Sequence, residues 1–302
     1  MTNPERPARV VRRRIDGVLL LDKPVGLSSN AALQRAKRAL RAEKAGHTGT
    51  LDPLASGLLP LCFGDATKFA QSLLDARKVY VATISFGTAT TTGDAEGEIC
   101  DTRPVAFSAA DLEAVLPSFT GVIRQQPPRY AALKFEGRNY YDYARAGIDI
   151  PRPTREVRID AIEILECALP RARLRISCSK GTYVRVLAED IGRALRCCAH
   201  LAALRRTASG PFRLEDAIGL AALEATDEAG LEALLLPVDA PLQDMARLDL
   251  EATEVVALAH GRTVAVAPGL SGPMRCYGRT TGFAGVALAT DGALRAVRLV
   301  RS

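Results

Sequence analysis

A carboxylate in a rigid turn near residue 50 is the feature of this 302-residue chain best suited to do chemistry. Asp52 is followed by Pro53, which restricts the backbone, and the glycines at positions 46, 49 and 57 let another backbone or a ligand come close. His47 lies five residues upstream, and leucines resume at Leu54, where they would anchor the turn to a core. A carboxylate held in this way could act as a nucleophile or a general base. An Asp-Pro pair by itself, however, is also an ordinary turn former.

Cysteine spacing argues against two other kinds of site. No two cysteines form a Cys-x-x-Cys pair, and the three histidines add no spacing typical of zinc ligands. A disulfide framework is not indicated in a chain of this length. We therefore expect reduced, mostly buried thiols in a cytoplasmic protein. The seven cysteines are Cys62, Cys100, Cys167, Cys178, Cys197, Cys198 and Cys276.

The composition is that of a folded protein with a surplus of basic residues. Hydrophobic residues make up 48% of the chain and charged residues 25%, which predicts a core through most of its length. The formal net charge of +6 favours a polyanionic partner, although many basic proteins bind none. No stretch approaches the ~20 apolar residues that span a bilayer. Residues 1–14 are rich in arginine and lack a signal-peptide cleavage site, so we expect a flexible basic tail that could touch a phosphate backbone.

Hydrophobic patterning predicts an α+β domain followed by a smaller β-rich one. Strand and helix patterns alternate irregularly, without a repeated βαβ rhythm. Near the C-terminus, short β-rich pieces alternate with Pro-Gly and Asp-Gly turns, as in a small barrel or sandwich. We therefore expect a tail at 1–14, a large domain at 15–240, a linker at about 240–247 and a β-barrel at 247–302. The predicted strands are 15–21, 79–86, 157–165 and 172–178, and the predicted helices are 31–40, 68–74, 108–116 and 183–195.

Together with the aspartate turn, four further segments resemble the tRNA pseudouridine synthase B family. They follow one another in the family's order and cover most of residues 15–210, so five matches stand in register. The chain departs from the family at Thr91, where an acidic residue is usual. The four segments are 64–69 (GDATKF), 78–80 (KVY), 126–145 (QPPRYAALK followed by GRNYYDYAR) and 178–185 (CSKGTYVR).

The resemblance implies a fold and a reaction. The implied fold is a mixed, mostly antiparallel sheet with flanking helices, plus a small C-terminal barrel similar to the RNA-binding PUA domain. The implied reaction converts the T-loop uridine of tRNA, uridine-55, to pseudouridine. It breaks the bond from ribose to uracil N1 and rejoins the sugar to C5, so it needs no metal and no organic cofactor. The implied partner is the T arm of tRNA, bound by a monomer without guide RNA or an obligatory protein partner.

The resemblance also implies roles for individual residues. Asp52 is the nucleophile or base, and Arg185 is the cation that keeps it ionised in a partly dry pocket. Tyr80 stacks on the target base. Without the resemblance, Tyr80 would be interpreted as a core residue and Leu204 as a leucine packing a helix. The other implied substrate-binding residues are Tyr183 and Leu204 beside the uracil, His47 close to the RNA, and Lys68, Arg205 and Arg206 at phosphates.

Three other functions stay open at this point. A related synthase could depend on guide RNA for its target. A tRNA-guanine transglycosylase also uses an aspartate nucleophile and carries a PUA domain, but it needs a (β/α)₈ barrel and a cysteine-rich zinc site, and neither pattern is present here. An RNA-binding or tRNA-folding protein could carry catalysis as a secondary activity. The joint presence of Asp52, Tyr80 and Arg185 argues against a purely structural role.

Overall fold

The structure, a computed structural model, describes residues 11–301 and is built largely from strands. Nineteen strands are present in that range. They are β1 (Gly17–Lys23), β2 (Ala45–His47), β3 (Ala55–Phe63), β4 (Lys78–Phe86), β5 (Thr88–Thr90), β6 (Ile99–Thr102), β7 (Gly121–Gln125), β8 (Lys134–Phe135), β9 (Arg138–Asn139), β10 (Arg155–Ala168), β11 (Arg171–Cys178), β12 (Ala199–Ser209), β13 (Phe212–Arg213), β14 (Ile218–Gly219), β15 (Ala246–Leu250), β16 (Val264–Ala265), β17 (Gly272–Gly278), β18 (Gly282–Thr290) and β19 (Ala293–Leu299).

Eight α-helices flank these strands in the described range, which confirms the predicted α+β class. Four short 3₁₀ turns, at Gly64–Phe69, Leu116–Phe119, Leu214–Asp216 and Ala240–Leu242, connect some of them. The helices are α1 (Ser29–Ala39), α2 (Ala70–Asp75), α3 (Ala109–Val115), α4 (Tyr140–Arg145), α5 (Val184–Ala194), α6 (Leu220–Ala225), α7 (Glu228–Ala233) and α8 (Ala252–Ala259).

Ten strands form the main sheet, and its central crossing brings the candidate site residues together. The strand order is β14-β1-β3-β12-β4-β11-β10-β7, with β13 paired to β12 and β2 paired to β3. Most pairs are antiparallel, but β1 with β14 and β3 with β12 are parallel. Strand β12 therefore lies between β3, which follows the aspartate turn, and β4, which carries Tyr80. Leu204 on β12 is in register with Ala55 and Ala82, so it lies on a central strand of the sheet.

Burial explains why these segments are strands and how helices cover them. Strand β3 is buried along nearly its whole length, as a central strand covered on both faces requires. Strand β11 alternates buried and exposed positions, so only one of its faces is packed. Helix α5 covers that face with Leu187 and Ile191, and α1 packs Leu33 and Ala36 in the core shared with β1 and β3. The packed helices α1 and α5 carry two groups of the candidate site in their first turns.

The C-terminal part is a separate sheet of five strands in the order β15-β17-β18-β19-β16. The side chains of Leu258 on α8 and of Met274 and Ala287 on the strands share one buried cluster. This arrangement confirms the expected β-rich module similar to a PUA domain. Its first strand begins at Ala246, inside the segment predicted as a linker.

The two sheets are held together by specific contacts. Lys68 Nζ donates to the Leu299 carbonyl oxygen (2.9 Å), and the backbone N–H of Arg301 donates to Asp65 Oδ2 (2.5 Å). The rings of Phe69 and Phe283 meet edge to face at 5.4 Å. In addition, the chain between the sheets is partly buried at Ala240, Pro241 and Leu242. The connection is therefore a packed junction.

The predicted N-terminal tail lies mostly outside the described residues, which begin at position 11. Arg13, near its end, pairs with Glu228 and Glu232, and its backbone N–H donates to the Arg41 carbonyl oxygen (2.7 Å). The last residues of the predicted tail are therefore attached to α7 and the end of α1. Within residues 11–301, no helix is long and apolar enough to cross a membrane.

Candidate active site

The aspartate turn is fixed by the first turn of α1. The backbone N–H of Leu51 donates to Ser29 Oγ (2.7 Å), and that hydroxyl donates back to the Leu51 carbonyl oxygen (3.0 Å). The Pro53 carbonyl oxygen accepts from the Gly26 N–H (2.8 Å). The backbone is thus held on both sides of Asp52, while 41% of the Asp52 side chain stays exposed. A carboxylate is therefore displayed at a fixed place with access for a ligand.

Arg185 projects from the first turn of α5 and is surrounded by acceptors. Its Nη2 lies 3.0 Å from Asp52 Oδ2 and donates to the Tyr130 carbonyl oxygen (2.7 Å). Its Nη1 donates to the Thr92 carbonyl oxygen (3.1 Å) and lies 3.4 Å from Asp94 Oδ2. The Arg185 side chain is only 6% exposed. A buried guanidinium held by four acceptors cannot turn away from Asp52 without leaving some of them unpaired.

Asp94 is a member of this site that the sequence did not reveal. Its carboxylate is buried, and besides contacting Arg185 it accepts from Thr92 Oγ1 (2.5 Å) and from the Glu96 N–H (3.1 Å). In the sequence it stands in a Thr-Gly-Asp run that is typical of a turn. A turn-forming aspartate and an aspartate that holds an arginine look alike in one sequence, so the pattern gave no separate signal.

Burial has the largest influence on Asp52 and raises the pKa of its carboxyl above the ordinary value. Arg185 and, less strongly, Lys23 oppose this rise, while the negative charge of Asp94 adds to it. Lys23 is itself buried, donates to two backbone carbonyl oxygens, and has a pKa lowered by burial to about 8. The exposed fraction of Asp52 faces cavities whose walls displace much of the surrounding water. The site therefore holds a carboxylate that takes up a proton more readily than a surface aspartate.

Two cavities meet at Asp52 and Arg185. One, of about 360 Å³, reaches from the aspartate over the central strands; the other, of about 910 Å³, opens on the opposite side beside the β5–β6 hairpin and α4. The smaller cavity is large enough for one nucleotide base and is lined mainly by apolar and aromatic groups with basic residues at its edge. Its aromatic and aliphatic lining includes Leu51, Leu74, Tyr80, Leu133, Tyr183 and Leu204.

Three predicted substrate-binding residues line this smaller cavity together with Asp52 and Arg185. Tyr80 lies on β4 and Leu204 on β12, and both also pack against the two cores that meet here. Tyr183 immediately precedes α5; its backbone N–H donates to Gln125 Oε1 (3.0 Å), which fixes the start of the helix. Burial raises the pKa of both tyrosine hydroxyls above the ordinary value, so both rings are neutral at neutral pH.

His47 does not line either cavity. It lies on β2, paired with Leu61 of β3, and is half-buried. Its Nδ1 is buried without a hydrogen-bond partner among the described residues, and burial followed by the charge of Arg206 lowers the pKa of the ring. Its place on the strand leading into the aspartate turn puts it near the site, and a contact with RNA stays a prediction.

Lys68 lies elsewhere. Its Nζ is 3.1 Å from Asp65 Oδ1 and donates to the Leu299 carbonyl oxygen, so it belongs to the junction between the two sheets. It lines neither cavity, and its role at a phosphate of the substrate stays a prediction. The sequence motif around Lys68 matches the family, but a sequence match does not determine the direction of the side chain.

The two arginines of β12 are engaged with protein groups, and their contacts with phosphates stay predictions. Arg206 is 1% exposed and donates to the carbonyl oxygens of Leu58 (2.6 Å) and Gly49 (3.3 Å), so it ties β12 to the aspartate turn. Arg205 donates across β3 to Asp22 Oδ2 (2.8 Å) on β1. The first is a buried cation in the wall of the smaller cavity, and the second is engaged in a surface ion pair.

Comparison with protein families now places the chain. Residues 37–184 match the TruB family pseudouridylate synthase (N terminal domain), residues 185–243 match the tRNA pseudouridylate synthase B C-terminal domain, and residues 246–300 match pseudouridine synthase II TruB, C-terminal. The chain belongs to the TruB family of pseudouridylate synthases. It is 52% identical to tRNA pseudouridine synthase B of Burkholderia mallei over 99% of both chains. It is 53% identical to the protein of that name from Thiobacillus denitrificans, over 96% of this chain and 97% of the relative.

Solved structures extend the TruB comparison to the fold. A Cbf5–Nop10–Gar1 complex contains a chain that is 28% identical and superposes with a TM-score of 0.73, over 94% of this chain and 84% of that one. An H/ACA RNP bound to a substrate RNA containing 2'-deoxyuridine gives 25% identity and a TM-score of 0.70, over 95% and 85%. The mixed sheet and the C-terminal β module are therefore shared with those chains as a whole.

The departure at Thr91 falls in the β5–β6 region next to Asp94. The Thr91 N–H donates to the Glu98 carbonyl oxygen (2.9 Å), and Thr91 Oγ1 accepts from the Glu98 N–H (3.2 Å). Thr91 also lines the larger cavity. Relative to the acidic residue usual in the TruB family, the chain thus has one negative charge fewer at this side of the site.

We expect Asp94→Asn to lower kcat about 10- to 100-fold with little change in KM, because Arg185 loses the carboxylate that fixes its far side. Asp94 raises the pKa of Asp52, so its neutralisation should move the acid limb of kcat/KM to lower pH. Initial rates of pseudouridine formation across pH measure both effects. Asp190→Asn, which removes a carboxylate farther along α5, is the matched control. If the acid limb of kcat/KM does not move in Asp94→Asn, the titrations of Asp94 and Asp52 are not coupled.

Proposed function

We propose that this chain converts the T-loop uridine of tRNA, uridine-55, to pseudouridine without guide RNA. The observation that carries the proposal is the pairing of Asp52 with Arg185 at a cavity lined by Tyr80, Tyr183 and Leu204. Relatives that cover the full length and share about half of all residues are named tRNA pseudouridine synthase B, which supports tRNA as the substrate.

The arrangement suits the isomerisation chemically. The bond between ribose C1' and uracil N1 breaks, the base turns, and a bond from C1' to C5 forms. C5 loses its proton and N1 gains one, so the product is an isomer of the substrate and no co-reactant is consumed. Asp52 supplies a carboxylate at the reacting sugar and base, and Arg185 holds that carboxylate in place. The cavity walls retain the detached uracil, and the ring of Tyr80 offers a stacking surface for a base removed from the RNA stack.

The second candidate is a guide-dependent synthase, favoured by the similarity to the Cbf5 chain in a complex with Nop10 and Gar1. Identity to the proteins named tRNA pseudouridine synthase B is almost twice as high, so we propose that the chain works alone. We further propose that it acts as a monomer in the cytoplasm, on the T arm as its recognition element.

The test is to map pseudouridine at nucleotide resolution in tRNA incubated with the purified protein alone. We expect modification at the T-loop uridine, and an isolated T-arm hairpin should be modified at an appreciable fraction of the rate on full-length tRNA, because a flipped base is recognised through loop shape. The same nucleotides in an unstructured strand should be poor substrates. Product that forms only after a guide RNA is added would replace the proposal with the second candidate.

A further inference from the structure

Three arginines line the smaller cavity, and two of them are engaged with protein groups. Arg185 contacts two carboxylates and two carbonyl oxygens, and Arg206 donates to two carbonyl oxygens. Arg155, at the start of β10, differs from both. Its Nε is buried without a hydrogen-bond partner, and it forms no ion pair with any carboxylate within residues 11–301. A buried donor with no acceptor is costly, which points to a ligand that supplies one.

The guanidinium of Arg155 is held by the side chain of Tyr183, while its Nε has no acceptor and no carboxylate among residues 11–301 pairs with it. Its Cζ lies 4.7 Å from the centroid of the Tyr183 ring, in a cation–π contact. A methyl group built on Gly181 would lie 3.8 Å from Cζ and Nη1 of Arg155 and 3.9 Å from its Nε. Three nearly equal distances place Gly181 over the plane of the guanidinium. With protein stacked on its plane, the group offers its N–H donors at the edge, where an anion would bind.

The charge around this cavity favours an anion. Among the described residues that line it, Asp52 is the only carboxylate, whereas five lining residues are basic. Lys180, near Arg155 on the same rim, is paired with Asp75 at 2.8 Å, so its charge is partly compensated. Lys78 donates to three carbonyl oxygens and has a pKa lowered by burial to about 8. Among these basic residues, Arg155 therefore has the charge that protein groups compensate least.

We propose that Arg155 binds a phosphate of the RNA backbone beside the flipped uridine and so positions that nucleotide against Tyr183. The inference rests on the proposed RNA substrate and deepens it by naming a recognition residue. Uracil within RNA is neutral, whereas each phosphodiester carries a negative charge that a guanidinium binds through paired N–H donors. Because Arg155 contacts the ring of Tyr183, the bound phosphate and the aromatic wall of the cavity are fixed relative to each other.

The experiment compares Arg155→Met with Arg193→Met, which removes an exposed arginine of α5 that lines neither cavity. Affinity is measured on a T-arm hairpin that already carries pseudouridine, so no turnover occurs, while the salt concentration is raised from about 0.05 to 0.2 M. Arg155→Met should bind on the order of tenfold more weakly at low salt, and its log–log salt slope should fall by about 0.7 to 0.9. Arg155→Lys should keep most of the slope, and Arg193→Met should match the wild type.

Single-turnover rates and thermal unfolding complete the test. If Arg155→Met stays folded and loses rate while its salt slope equals that of the wild type, Arg155 supports Tyr183 only and the inference is overturned. If the methionine variant unfolds early, Arg155→Gln replaces it with the same expected slope. A wild-type protein that makes no pseudouridine on tRNA would overturn the proposed function itself, whereas an unchanged slope in an active enzyme overturns the phosphate contact alone.

Discussion

Asp52→Asn is expected to fold and bind tRNA but to form pseudouridine at least about 10³-fold more slowly than the wild type. The substitution keeps the size of the side chain and removes the charge that either a nucleophile or a base requires. The turn should survive, because it is held through Leu51, Ser29 and Pro53 and not through the carboxylate. Arg185 would lose one acceptor and keep three.

The measurement is single-turnover product formation with enzyme in excess, together with equilibrium binding and thermal unfolding. Asp190→Asn again serves as a control for removing a carboxylate, since Asp190 pairs with Arg193 away from both cavities. Turnover within tenfold of the wild type would show that Asp52 is not the reacting group. A loss of binding equal to the loss of rate would instead assign Asp52 to substrate docking.

Arg185→Met is expected to cause the second-largest loss of activity, with a smaller loss of RNA affinity. Arg185 lowers the pKa of Asp52 against the effect of burial, so its removal should raise that pKa further. The acid limb of kcat/KM should then move to higher pH, opposite to the shift expected for Asp94→Asn. Part of the activity should return as the pH is raised. The remaining loss reports the positioning that the guanidinium fork provides.

The pH dependence of folding stability provides an independent test of the Arg185→Met variant. Removal of Arg185 leaves the buried Asp94 without its cation, and breaking a buried pair costs about 3–5 kcal/mol. The pKa of the Asp52 carboxyl is already raised by burial, and loss of Arg185 raises it further. Folding then favours the protonated form of Asp52, so the stability of the variant falls as pH rises from the unfolded pKa through the folded one. The melting temperature of Arg185→Met should therefore lie closest to that of the wild type at low pH. If RNA affinity falls as far as the rate while the pH profile stays unchanged, a phosphate clamp describes Arg185 better.

The sequence predicted that Asp52, Tyr80 and Arg185 lie together, because these residues stand in ordered motifs. In the structure all three line one cavity, although they come from a turn, a strand and a helix that are far apart in the chain. The sequence did not reveal that Lys68 lies at the junction between the sheets, because a motif fixes the backbone around a side chain and leaves the direction of that side chain open. Asp94 was missed because its partner, Arg185, is ninety-one positions away and nothing local distinguishes it from a turn residue.

The same reasoning applies to the elements. Long alternating or continuous apolar runs such as β4 and β10 were predicted close to their observed positions. The short pairs β5–β6 and β8–β9 were not, since two to four residues carry too little pattern to be recognised. Strand β12 was missed although it is long, because its mixed composition reads equally well as a helix. Its pairing with both β3 and β4 decided the outcome.

The packed junction between the two sheets fixes the spacing between the C-terminal module and Asp52. Lys68, Asp65 and Phe69 follow directly on β3, and they bind the C-terminal sheet to the same strand that follows the aspartate turn. The outer face of the C-terminal module therefore stands at a set distance from Asp52 before any substrate arrives. An RNA that touches both places has to bring its own two contact points to that spacing. For an RNA bound at both places, we expect the length of its helix, as well as the sequence of its loop, to select the uridine that reaches the carboxylate.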